Sequence, residues 1–60
     1  SMPHVTLTRN HERSLTAYLT PNNRILDAAH RVIGTYRWLT TGRIVALIGG
    51  RIYAGEVRYA

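Results

Sequence analysis

Sixty residues without a cysteine exclude disulfides and thiolate-held metal, and a chain this short buries only about 60% of its unfolded surface. The formal charge of +5 comes from eight basic residues, all arginine, set against three acids, which favours nucleic acid or an acidic protein surface over a basic partner. No apolar run approaches the ~20 residues of a membrane span, and no charged-then-apolar signal pattern opens the chain, so a cytoplasmic protein without membrane contact is expected.

Lysine would supply the same charge, but arginine adds a planar fork suited to phosphate and carboxylate. An arginine-only preference also fits a GC-rich genome with no binding role. Ser1 ahead of Met2 reads as a cloning remnant. The chain makes a single small domain, and with disulfides excluded, association with a second copy is the remaining source of added stability.

Residues 4–9 alternate, with Val5 and Leu7 on one face and Thr6 and Thr8 on the other, as in a half-buried strand. Asn10 to Arg13 is polar and suits a loop. From Ser14 to Thr20, Leu15, Ala17 and Leu19 alternate, although Leu15, Tyr18 and Leu19 also fit a helical face. Two threonines and a tyrosine favour a strand, forming a hairpin with residues 4–9.

Thr20-Pro21 reads as a helix start, a hydroxyl cap followed by proline in the first turn. Ile25, Leu26, Ala28, Ala29, Val32 and Ile33 then fall within an arc of about 160°, which predicts an amphipathic helix over residues 21–33. Asn23, Arg24, Asp27, His30 and Arg31 fill the opposite face. Asp27 precedes Arg31 by four, a favourable helical ion pair, and Gly34 suits a left-handed cap.

Thr35 to Thr40 returns to β composition, and Thr41-Gly42 offers a turn into residue 43. From Gly42 to Tyr59, two β-rich runs flank Gly49-Gly50, a strong hairpin signal. Folding there pairs Ile48 with Arg51, Leu47 with Ile52, Ala46 with Tyr53, Val45 with Ala54 and Arg43 with Glu56. One face, Val45, Leu47, Ile52 and Ala54 joined by Tyr36 and Trp38, is expected to receive the helix. The other, with Leu39, Ile44, Ala46, Ile48, Tyr53, Val57 and Tyr59, is the expected homo-oligomer interface. The predicted fold is α+β: two strands, one helix and a three-stranded antiparallel meander.

Catalysis needs converging titratable groups, and few are present. Asp27 and Glu56 have arginine partners, and Glu12 lies in a polar loop. His4, His11 and His30 lack the spacing of helical metal ligands, and Ser14 lies in no nucleophile elbow. No enzyme, metal or cofactor is expected.

Arginines interleave with aromatics at Tyr36-Arg37-Trp38, Arg51-Ile52-Tyr53 and Arg58-Tyr59, a pattern in which rings stack on bases and guanidinium groups hold phosphates. Trp38 also fits a core role in a chain without phenylalanine. Arg24, Arg31, Arg37 and Arg51 are the candidate nucleic-acid contacts of a small, dimeric regulator-like module. The competing reading is a compact phage-type interaction or inhibitor protein that covers an acidic partner surface. A helix–turn–helix over residues 12–33 is weaker, because only β-like sequence follows it.

Overall fold

Strands form in the middle of the chain as well as at its two ends. The structure, a computed structural model, describes residues 2–59, so Ser1 lies outside the described residues. It contains six strands: β1 (His4–Thr8), β2 (Leu15–Leu19), β3 (Arg24–Leu26), β4 (Val32–Thr40), β5 (Arg43–Ile48) and β6 (Arg51–Arg58). Each pairs antiparallel with the next, and β6 returns to pair with β1, closing a barrel. The expected α+β fold is thereby overturned: the described residues contain no helix, so none is long and apolar enough to cross a membrane.

Residues 21–33 form two turns and a short strand. Asn23 N–H donates to the Thr20 carbonyl (3.2 Å), a β-turn with Pro21 at its second position, where proline's fixed φ fits. The Thr20 hydroxyl does accept a backbone N–H, as a helix cap would, but from Arg24 (3.0 Å), the first residue of β3. After Leu26 the chain turns again. Asp27 Oδ1 accepts from the N–H groups of Ala29 and Arg31 (2.9 Å each), and its Oδ2 accepts from Arg31 Nε (3.0 Å). The four-residue spacing of Asp27 and Arg31 thus closes a loop instead of one helical turn. His30, in this loop, takes a positive φ of 62°. The supposed apolar arc splits accordingly: Ile25 and Leu26 are buried, whereas Val32 is 63% exposed.

Backbone and side-chain donors from residues 29 and 31 hold the Asp27 carboxyl below its ordinary pKa of 3.8, the Arg31 N–H contributing most. A carboxylate whose folded pKa is depressed stabilises the fold above its unfolded value and loses that contribution as pH falls through the folded value. Asp27→Asn is therefore expected to lower stability at neutral pH and to flatten the loss seen on acidification below about pH 4. Urea midpoints measured across that range check this.

The C-terminal hairpin has the expected register. Ile48 faces Arg51, Leu47 faces Ile52, Ala46 faces Tyr53, Val45 faces Ala54 and Arg43 faces Glu56. Gly49 and Gly50 both take positive φ, 57° and 76°, as a two-residue turn of matching twist requires. The N-terminal hairpin also forms, with Val5 opposite Ala17 and Leu7 opposite Leu15.

One register differs. Thr40 faces Arg43 across the Thr41-Gly42 turn, but Trp38 then faces Ile44 and Tyr36 faces Ala46. Leu39 is the extra residue of a β-bulge. Because side chains alternate, one inserted residue moves everything before it to the opposite face. Tyr36 therefore enters the interior with Ile44, Ala46 and Tyr53.

Closure explains the two-faced apolar hairpin. The inner face of the barrel takes Val5, Leu7, Ala17, Leu19, Ile25, Tyr36, Ile44, Ala46 and Tyr53. Small and large residues share the interior, which lets two tyrosines fit into a six-strand barrel. Gly55 opens the needed space on β6, since a Cβ there would lie 2.7 Å from Ile44 Cγ1 and 2.8 Å from Val5 Cγ2. The closed meander leaves no free sheet edge.

Candidate nucleic-acid interface

Three acids serve eight arginines, so the ion pairs decide which guanidinium groups remain free. Glu12 pairs with Arg9, Asp27 with Arg31 at 3.0 Å, and Glu56 with both Arg43 (3.4 Å) and Arg58 (3.9 Å). Arg13, Arg24, Arg37 and Arg51 have no acidic partner among the described residues. Three of the four candidate contacts are therefore unpartnered, while Arg31 is held by Asp27.

The four do not form one strip. Arg24 faces Thr35 across β3 and β4, and Arg37 is two residues further along β4. Their neighbours Ile25 and Tyr36 are buried inside, so the two arginines lie close together on the outer wall. Arg31 and Arg51 lie at one end of the barrel, where the antiparallel order gathers the β1–β2, β3–β4 and β5–β6 connections.

The expected oligomer interface is corrected by the same topology. Ile44, Ala46 and Tyr53 are buried in the core of a single chain, and Ile48 and Val57 pack against it. The barrel covers this face with its own β1 and β2, so it is not open to a second copy. Of the residues expected there, Leu39 and Tyr59 are well exposed, at 64% and 71%. The other face, expected to carry a helix, is bare. Leu47 and Ile52 are exposed there, beside a hollow of about 320 Å³ lined also by Thr35, Arg37 and Val45.

At the end of the barrel opposite Arg31 and Arg51, a second hollow of about 340 Å³ opens where the β2–β3 turn meets the end of β4. Leu19 and Tyr36 lie deep in its lining, with Pro3, Pro21, Asn23 and Trp38 around them. Tyr36 Oη donates to the Thr20 carbonyl at 2.7 Å, tying its ring to the turn. Burial raises the Tyr36 phenol above its ordinary value of 10.0, and neighbouring Tyr59 adds to the rise, so it stays a donor at neutral pH. Trp38 stands edge-to-face on Tyr36, centroids 5.9 Å apart, and remains 47% exposed. It is neither fully core nor free: one ring is buttressed by another.

Sequence reasoning set Thr20-Pro21 at the start of a helix and Asn23 on its polar face, so it missed the hollow that they line. The Pro-Asn-Asn run was the available signal, since proline followed by asparagines suits a turn. Asn23 has φ 66°, a left-handed conformation that asparagine tolerates. Among the described residues, no three His, Asp or Glu side chains gather as metal ligands would. No family model, curated protein or solved structure matches the chain, so the functional reading rests on this geometry.

Proposed function

We propose that the protein binds nucleic acid in single-stranded form across β3 and β4. One observation carries the reading: Arg24 and Arg37, both without acidic partners among the described residues, lie together on a wall that leads to the half-exposed Trp38. Guanidinium groups track phosphates, and an exposed, buttressed ring offers a stacking surface to any unpaired base. The described residues contain no helix that could enter a duplex major groove, which favours unpaired bases over double-stranded DNA. A cysteine-free chain suits the reducing cytoplasm, where such a module would work.

Fluorescence anisotropy with single-stranded and duplex probes at low salt tests this. The single strand is expected to bind more tightly, with a log–log salt slope near −1.4 from two phosphates at about −0.7 each. Equal affinity for duplex would overturn the single-strand preference. No binding to either probe at ~10 μM protein, well within the range of non-specific affinities, would end the reading.

A second reading has its own support. Leu47 and Ile52 are exposed around a hollow shared with Arg37, and Ile52 adjoins Arg51, a combination that fits an acidic protein partner with apolar contacts better than it fits phosphates. Pull-down from a nuclease-treated lysate separates the two: a stoichiometric protein that persists favours this one.

A further inference from the structure

We infer that the hollow between the β2–β3 turn and Trp38 is a nucleobase pocket, which takes one unpaired base of the strand whose phosphates lie on Arg24 and Arg37. This rests on the single-strand reading and adds the site at which a base is recognised. The hollow measures about 340 Å³, near the lower end of small-ligand sites, and its walls are mainly apolar. Trp38 supplies the ring for stacking, held by Tyr36, which the Thr20 carbonyl holds in turn. Such a ring meets a base without first being ordered.

The polar group is Asn23. Its side-chain amide makes no hydrogen bond to a described residue, and it lines the hollow. Its backbone is fixed on both sides, Asn23 N–H to the Thr20 carbonyl and Tyr36 N–H to the Asn23 carbonyl (3.0 Å). An amide offers a donor and an acceptor together, as the polar edge of a base does. Alternation along the chain places the charges correctly. Asn23 and Trp38 line the hollow, while their neighbours Arg24 and Arg37 lie on the adjoining outer wall. A strand crossing the rim therefore meets two cations outside and one ring within.

Trp38 is the only tryptophan, so its emission reports on the pocket directly. The test titrates the protein at low salt with single-stranded DNA of about eight nucleotides, within the usual site sizes, and with an abasic strand of equal length. The base-bearing strand is expected to quench Trp38 and to bind about 5- to 150-fold more tightly, the range for one stacked base. Trp38→Leu should remove that advantage. Asn23→Gly, which keeps the left-handed backbone, should narrow affinity differences among the four homopolymers. Equal binding of both strands with unchanged emission would overturn the pocket and leave the phosphate wall standing. Binding of neither strand would overturn the single-strand reading and the pocket with it. The abasic comparison uses the native chain, so it decides the matter even if a variant fails to fold.

Discussion

Gly34→Val is expected to leave most of the protein unfolded at room temperature. A Cβ at Gly34 would lie 2.2 Å from the Leu47 carbonyl oxygen and 2.8 Å from Ile48 Cγ1. The first of these is backbone, so no rotamer change relieves it. Gly34 faces Ile25 on one side and Ile48 on the other, and the conflict falls at the joint of three strands. Relief requires β4 to move off β5, which costs ladder hydrogen bonds as well as core contact. Overpacking of this severity sits at or above ~3 kcal/mol. A core in a chain this size rarely supplies more than about 3–5 kcal/mol, so little remains. Far-UV circular dichroism with urea titration reads the outcome.

A helix cap at Gly34 would also be harmed by valine, but for another reason. A left-handed cap accepts asparagine, whereas a strand glycine pressed against a carbonyl does not. Gly34→Asn therefore separates the two, and the barrel requires it to be nearly as damaging as valine. Val32→Ala, at an exposed strand position, is the control and should cost within about 0.5 kcal/mol.

The C-terminal hairpin was legible in the sequence because its signal has a single physical meaning. Gly49-Gly50 between β-rich runs specifies a two-residue turn, and the turn sets every pair from Ile48–Arg51 to Arg43–Glu56. The segment from Thr20 to Gly34 failed because each of its signals has two meanings. Threonine and aspartate accept backbone N–H groups at helix starts and in turns alike. Asp27 and Arg31 meet across one helical turn or across a tight loop with the same spacing. Two buried residues, Ile25 and Leu26, followed by a loop and a strand, imitate a helical stripe over this short range.

The face assignments failed for a smaller reason. One bulged residue, Leu39, moved Tyr36 from the outer wall to the core, and no local composition marks Leu39 as the bulge. With the barrel closed, the face reserved for a second chain became the interior. For the site, the arithmetic of three acids against eight arginines was visible from the start, and Arg43–Glu56 was paired correctly. The hollow was not visible, because it joins Met2 and Pro3 with the β2–β3 turn and with Tyr36 and Trp38, which only closure brings together.

Arg24→Gln combined with Arg37→Gln is expected to abolish the salt dependence of single-strand binding while leaving the fold intact. Neither side chain has an acidic partner among the described residues, and both are exposed. Their loss removes two phosphate contacts, so the slope should move from about −1.4 to near zero. The thermal midpoint should stay nearly constant, since exposed substitutions away from such features usually fall within about 0.5 kcal/mol. Arg43→Gln supplies the contrast. It breaks an exposed pair with Glu56, worth about 0–1 kcal/mol, and should lower stability slightly with an unchanged slope. Arg31→Gln with Arg51→Gln tests the opposite end of the barrel. If that pair flattens the slope and the wall pair does not, phosphate is bound at the turn end and the β3–β4 assignment is wrong. Removing Arg24 and Arg37 acts on the phosphates of every base sequence equally, so affinity should fall by the same factor for all homopolymers. A fall confined to one homopolymer would mean that these arginines read bases, contrary to their place on the outer wall.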